Sequence, residues 1–113
     1  MTQREIKFRA WDKEKNEITT TICIGGLHIP YNSNPNNYIL MQYTGLKDKN
    51  GKEIYEGDIV RNTADKYHYE IKWDNFESAW SLGENGSPIR RYLLSEYWEV
   101  IGNIYENPEL LQN

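Results

Sequence analysis

The chain has 113 residues, which fits one domain, residues 1–113, with its own hydrophobic core. Its formal net charge is −4, and this sign argues against a bulk attraction to nucleic acid or to an anionic membrane surface. A single cysteine, Cys23, leaves no internal disulfide. With no apolar leader and no stretch long enough to span a bilayer, we expect a cytoplasmic protein without a membrane contact.

The N-terminal third predicts a hairpin followed by a loop. Apolar and charged residues alternate over 4–11, the period of a half-buried strand, and a polar turn separates this strand from a second one over 17–24. Glycines, prolines and asparagines then fill residues 25–37 and predict a long irregular loop. Such a loop could carry a binding function, or it could be a connection with no function of its own.

The rest of the chain predicts further short strands over 38–43, 58–62, 67–74 and 98–105. Residues 76–82 are the expected hairpin partner of 67–74, and 89–98 stay ambiguous between helix and strand. Three glycines mark turns or bends with the backbone freedom that only glycine has: Gly45, Gly51 and Gly57. Asn107 and Pro108 predict the N-cap and the first residue of a short helical turn.

Many short strands in a short chain predict a mainly β fold. A small barrel, closed or nearly closed, is the expected architecture because closure removes exposed strand edges. We therefore expect a partly open β-barrel with hairpin extensions and a short C-terminal helical turn.

Three segments resemble a known family. The runs Arg4–Asp12, Met41–Asp58 and Val100–Leu111 are similar to the opening, central and closing segments of the YopX family of bacteriophage and prophage proteins. The resemblance implies an SH3-like barrel and a gene carried by a phage or prophage, usually of Gram-positive bacteria. It implies no activity, and no catalytic residue of the family can be transferred to this chain.

No constellation of residues predicts catalysis, a metal site or a cofactor. His28 and His68 lie far apart without further ligands, and the glycines do not form a phosphate-binding loop. Asp58 follows Gly57 at a strand start, where bonding to nearby backbone N–H groups is a better explanation than general-base chemistry. We therefore expect a protein that is not an enzyme.

One candidate contact face lies on the first strand. Lys7, Arg9 and Trp11 alternate with the apolar positions, so they would point to one side of that strand. An aromatic ring beside two cations could stack on a base and contact phosphate. The same residues could also form an ordinary solvated face, with Trp11 tucked into the barrel end.

The aromatic content predicts self-association. Nine Tyr and four Trp are many large rings for one small barrel interior, and Tyr and Trp are enriched in interface cores. Rings that flank turns or end strands are the candidates: Trp11, Trp80, Tyr92 and Trp98. The alternative is that these rings cover the barrel ends of a monomer.

Three functions compete at this point. The leading hypothesis is a non-enzymatic binding or scaffold module in the bacterial cytoplasm, with an unknown phage or host protein as partner and a homo-oligomeric state. The second is a nucleic-acid-binding accessory protein of the phage, which would use Lys7, Arg9 and Trp11. A small enzyme acting on phage or host metabolites is the least supported.

Overall fold

A computed structural model describes residues 6–19, 35–75, 78–82 and 96–112 of the chain. Within these ranges the chain forms eight strands and two 3₁₀ turns. The strands are β1 (Phe8–Asp12), β2 (Glu17–Thr19), β3 (Tyr38–Lys47), β4 (Glu53–Tyr55), β5 (Asp58–Asn62), β6 (His68–Asp74), β7 (Ala79–Leu82) and β8 (Trp98–Asn103). The 3₁₀ turns are Pro35–Asn37 and Pro108–Leu111.

The strands form two antiparallel sheets of four strands each. The order is β2-β1-β3-β4 in the first sheet and β7-β6-β5-β8 in the second. Only Glu56 and Gly57 separate β4 from β5, so the chain passes from one sheet to the other in two residues. The predicted fold class, a mainly β, partly open small barrel with a short C-terminal helical turn, is confirmed.

Most predicted strands are present, with two differences. The hairpins β1–β2 and β6–β7 pair as expected. β3, however, runs on to Lys47, and β4 was not among the predicted strands. Thr44 explains the longer strand because its Oγ1 donates to the carbonyl of Ile54 at 2.7 Å and accepts the N–H of Leu46 at 3.1 Å. The first of these bonds joins β3 to β4 in the stretch between Tyr43 and Lys47 where their register shifts.

Several predictions lie outside the described residues. They concern Tyr92, Cys23 and His28, residues 20–24 of the second predicted strand, the loop as far as residue 34, and the ambiguous segment over 89–95.

A buried aspartate organises the turn between β3 and β4. Oδ1 of Asp48 accepts the N–H groups of Asn50 and Lys52, each at 2.9 Å, which shapes the turn. Oδ2 accepts the N–H of Val100 at 2.9 Å, and Val100 belongs to β8 in the second sheet. One side chain therefore holds the turn of one sheet against the last strand of the other.

The core draws side chains from both sheets. Ile54 of β4 packs with Val60, Ile71 and Trp98 of the second sheet, and all four are buried. Burying a side chain of this size contributes about 1.5–3 kcal/mol relative to leaving it in water. Met41 of β3 is also fully buried, so the interior extends beneath the first sheet.

The C-terminal helical turn forms, but not with the predicted cap. The side chain of Asn107 makes no capping bond to the turn. Its Oδ1 instead accepts the N–H of Asn103 at 3.3 Å, and only the backbone carbonyl of Asn107 accepts from Leu110. Nδ1–H of His68 donates to the carbonyl of Leu110 at 2.6 Å, which ties the turn to β6.

The first hairpin has an aspartate with a lowered pKa. Oδ1 of Asp12 accepts from Nδ2 of Asn37 at 2.8 Å and from the N–H groups of Glu14 and Lys15 at 3.0 and 3.1 Å. The Asn37 bond, followed by the Lys15 bond, holds the pKa of Asp12 below its usual value of 3.8. Ionised Asp12 therefore joins the turn of this hairpin to the start of β3.

Gly57→Ala should destabilise the protein more than Gly51→Ala. Both glycines have positive φ, +86° and +81°, so each alanine carries left-handed strain of about 1–2 kcal/mol. A Cβ at Gly57 would also lie 3.2 Å from Sδ of buried Met41, whereas a Cβ at Gly51 meets no atom within 4 Å. Urea unfolding of both variants measures the difference. Equal losses would show that the Met41 contact carries no cost.

The stability contributed by Asp12 should disappear in acid. Its folded pKa lies below its unfolded value, so the contribution is present above the unfolded pKa and is lost as the pH falls through the folded pKa. We expect the melting temperature of Asp12→Asn to lie below that of the wild type at neutral pH, and the gap to narrow below about pH 4. Thermal unfolding followed by circular dichroism measures both. A difference in melting temperature that does not change with pH would contradict the conclusion that the lowered pKa of Asp12 contributes to stability.

Candidate functional site

The structure corrects the predicted contact face on β1. The residues Arg9 and Trp11 are only 9% and 8% exposed, so neither can meet a partner with Lys7 on an open surface. β1 lies between β2 and β3, and residues from the second half of the chain cover the side that the alternation assigned to solvent. An exposed face of Lys7, Arg9 and Trp11 therefore does not form.

Arg9 takes part in a buried ion pair instead. Its Nη2 donates to Oδ1 of Asp58 at 2.5 Å, and its guanidinium lies 4.6 Å from the ring centre of Tyr55. Oδ2 of Asp58 accepts the N–H of Tyr55 at 2.7 Å. Burial raises the pKa of Asp58 above its usual value, while the charge of Arg9 acts against that rise. The expected bonding of Asp58 to the backbone is confirmed, and Arg9 is its second partner.

The other two residues of the predicted face also have internal partners. Trp11 stacks on Tyr105 with the ring centres 5.5 Å apart, which matches the alternative that this ring is tucked inside. Lys7 pairs with Glu53 of β4, and its Nζ lies 4.8 Å from the ring centre of Tyr43. All three side chains thus join β1 to its surroundings.

The predicted self-association rings are mostly internal as well. Trp98 belongs to the core, and Trp80 is half-buried against it, so neither offers a whole ring to a second copy. The large apolar side chains that are exposed among the described residues are different ones: Ile6, Leu40, Tyr67, Trp73 and Tyr97. Trp73 alternates in step with buried Ile71 along β6, yet it is 45% exposed.

Two of these exposed residues border a cleft of about 300 Å³ between β3 and β6. We call this space the cleft. Buried Met41 and Ile71 line it, together with Ile39, Ile104 and Tyr105. Leu40, 41% exposed, belongs to the same lining on the β3 side, and Trp73, 45% exposed, on the β6 side. The ring of Trp73 packs edge-on against that of Trp80, with the ring centres 5.1 Å apart. Trp73 is therefore held in place while about half of it faces water.

The residues between β4 and β5 close one end of the cleft. The N–H of Glu56 donates to the carbonyl of Gln42 on β3, and the N–H of Gly57 donates to the carbonyl of Ile71 on β6, both at 2.9 Å. The carbonyl of Gly57 in turn accepts the N–H of Ile104 at 2.9 Å. We call Glu56 and Gly57 the corner, because this dipeptide connects to both strands that border the cleft.

The polar lining of the cleft is mainly acidic. Glu56 and Glu70 contribute two carboxylates, and Nζ of Lys72 lies 3.9 Å from Oε1 of Glu70. Burial raises the pKa of Tyr105, and the negative charges of Glu56 and Glu70 raise it further, so both carboxylates act on the same phenol. The cleft therefore combines apolar walls with a net negative charge.

Comparison with known proteins decides the family. The family model described as YopX protein matches residues 24–112, which include the central and closing segments singled out in the sequence. The chain belongs to the YopX family. The comparison with curated proteins found no match.

Two solved structures share the fold of this YopX-family chain. Protein EF1440 from Enterococcus faecalis has 29% sequence identity and a TM-score of 0.75, and the alignment covers 96% of this chain and 99% of that one. Protein yopX from Bacillus subtilis has 22% identity and a TM-score of 0.60, with 94% and 95% covered.

No helix in the described ranges is both long and apolar enough to cross a membrane. Nor do three or more His, Cys, Asp or Glu side chains converge anywhere in these ranges as metal ligands would.

Arg9→Met should be strongly destabilising because it leaves the Asp58 carboxylate buried without its cation. Removing one member of a buried ion pair costs about 3–5 kcal/mol. Lys7→Met is the matched control, since Lys7 and Glu53 are partly exposed and their pair contributes less than about 1 kcal/mol. Chemical unfolding measures both losses.

A double variant separates the charge from the packing. Arg9→Met with Asp58→Asn should be more stable than Arg9→Met alone, because the buried group is then neutral. If Arg9→Met cost no more than Lys7→Met, the buried pair would not be the role of Arg9.

Proposed function

We propose that this chain is a non-enzymatic, protein-binding module of a phage or prophage that works in the bacterial cytoplasm and holds its partner in the cleft. The observation that supports this is the exposure of two large apolar side chains, Leu40 and Trp73, on opposite sides of a concave space whose lining is part apolar and part polar. Exposed apolar groups beside a groove are typical of interaction sites. Tryptophan is also among the residues that contribute most to binding energy in interfaces.

The fixed position of Trp73 strengthens the case. Its contact with Trp80 limits the side-chain entropy that binding would otherwise remove, so the site is partly organised in advance. The membership of the YopX family supports the phage or prophage origin in this proposal.

The nucleic-acid alternative has less support. Arg9 and Lys7 already pair with Asp58 and Glu53, and the cleft carries two carboxylates against one ammonium group. Phosphate would be repelled there. Salt-sensitive retention of the protein on DNA or RNA, lost in Lys7→Glu, would revive this alternative.

The homo-oligomer stays a prediction, and the exposed rings outside the cleft that could serve it in the described ranges are Tyr67 and Tyr97. Light scattering on a size-exclusion column tests it, and a mass of 13.4 kDa across micromolar concentrations would contradict it.

Affinity capture from host cells that carry the phage tests the proposed function. The tagged wild type is compared with Trp73→Ser and Leu40→Ser, and quantitative mass spectrometry measures each recovered protein. We expect a defined partner whose recovery falls at least about tenfold in both variants, because each removes apolar contact area inside the cleft.

Tyr67→Ser is the matched control for that capture. Tyr67 is 54% exposed and does not line the cleft, so its variant should recover the partner at the wild-type level. All variants are first shown to melt at similar temperatures. Recovery that is unchanged by Trp73→Ser and Leu40→Ser would remove the cleft as the binding site.

A further inference from the structure

The register of β3 shows which backbone groups face the cleft. The N–H of Tyr43 donates to the carbonyl of Lys7, and the N–H of Lys13 donates to that of Asn37, in the same register that pairs Arg9 with Met41. Bonded and non-bonded pairs alternate along an antiparallel ladder. Met41 therefore uses its backbone groups on the β1 side, and those of Leu40 point to the opposite edge.

Among the described residues, that opposite edge of β3 is only partly covered. β4 pairs with β3 from Lys47 to Tyr43, and the corner adds the bond from Glu56 to Gln42. Beyond Gln42 the chain turns into the second sheet. In the described part of the chain, no backbone group meets the N–H and C=O of Leu40 on this edge.

β6 presents a similar edge from the other side. The bonds from Asn62 to the carbonyl of Tyr67 and from Gly57 to that of Ile71 fix its register with β5. By the same alternation the backbone groups of Trp73 point to the β5 side. Since β5 begins only at Asp58, the ranges described contain no strand that pairs with Trp73 there.

The cleft thus lies between two strand edges and is closed at one end by a dipeptide that bonds to both strands. An uncovered edge is a template for a further strand, and partners are often bound by adding one. The lining carries the carboxylates of Glu56 and Glu70 against the single ammonium group of Lys72, so its net charge favours a positive charge on whatever lies there.

We propose that the cleft binds an extended segment of a partner protein as an added strand. The segment pairs with the β3 edge at Leu40, places alternate apolar side chains against the accessible parts of Ile39, Ile104 and Trp73, and directs a Lys or Arg toward Glu56 and Glu70. This rests on the proposed function and specifies the chemistry of the partner.

Selection from a random library tests the partner chemistry. Nine-residue peptides displayed on phage are selected on the immobilised full chain, and enriched sequences are made as labelled peptides for fluorescence anisotropy. We expect apolar residues at every second position and at least one Lys or Arg. Glu56→Gln with Glu70→Gln should weaken binding about fivefold or more, and the loss should shrink in high salt. Enrichment of acidic sequences would overturn the charge assignment.

Backbone methylation of the peptide tests strand addition itself. N-methylation of single residues removes one N–H at a time, and we expect losses of about tenfold at residues that pair with β3 and smaller losses at their neighbours. A peptide that loses affinity in Trp73→Ser but tolerates every N-methyl group would overturn strand addition and leave the proposed function standing. If no peptide is enriched and cellular capture is insensitive to the cleft variants, both proposals fail.

A matched pair of protein variants tests the same point from the other side. Leu40→Pro removes the N–H that faces the cleft. The hydrogen bonds between β3 and β1 do not use this N–H, and proline is tolerated where a strand N–H lies on an unpaired edge. Leu40→Ala shortens the side chain and keeps the N–H. We expect Leu40→Pro to bind peptide at least about fivefold more weakly than Leu40→Ala at similar melting temperature. If Leu40→Pro fails to fold, the methylation scan decides alone. A dimer that Trp73→Ser abolishes would make a second copy of this chain the occupant and overturn the proposal.

Discussion

The crossing of the chain between its two sheets at the corner is the constraint on which the rest of the structure depends. Gly57 turns with a positive φ, and the two N–H groups of the corner donate to β3 and to β6. Ile54 just before the corner and Val60 just after it enter the same core. The cleft is the other result of this crossing, because β3 and β6 both continue past the point where the corner stops covering them.

The ion pair of Arg9 and Asp58 reinforces that crossing. Asp58 directly follows the corner, and Arg9 lies on β1 in the other sheet, so the pair joins the two sheets beside the turn. A buried ion pair adds little net stability over apolar packing, because both charges must leave water. Its clear effect is on position: the Asp58 carboxylate also accepts from Tyr55, which fixes the backbone immediately before the corner. Arg9, a cationic residue on a strand, is therefore bound inside the protein and is not available to a binding partner.

The local pattern of the sequence was sufficient for most strands and for the glycine turns. Period-two alternation located most strands, and the positive φ of Gly45, Gly51 and Gly57 is the conformation expected of glycines in such positions. The cleft could not be predicted from this local pattern. Alternation distinguishes two faces of a strand but cannot say that both are covered, and the partner of Arg9 lies 49 residues away. The cleft depends on which strands are neighbours in the fold. The pairing order of the strands determines this, and no local sequence pattern specifies that order.

The aspartate in the β3–β4 turn has a consequence for the order in which the chain acquires its structure. Oδ2 of Asp48 accepts from Val100, 52 residues later, and β5 pairs with β8. Contacts this distant along the chain make folding slower than it is in proteins built from local contacts. During synthesis, which proceeds from the N-terminus, Asp48 emerges from the ribosome long before its partner on β8 has been made. The bond between Asp48 and β8 therefore forms only after residue 100 has been made, and until then the edge of β5 that β8 will cover is open to other chains.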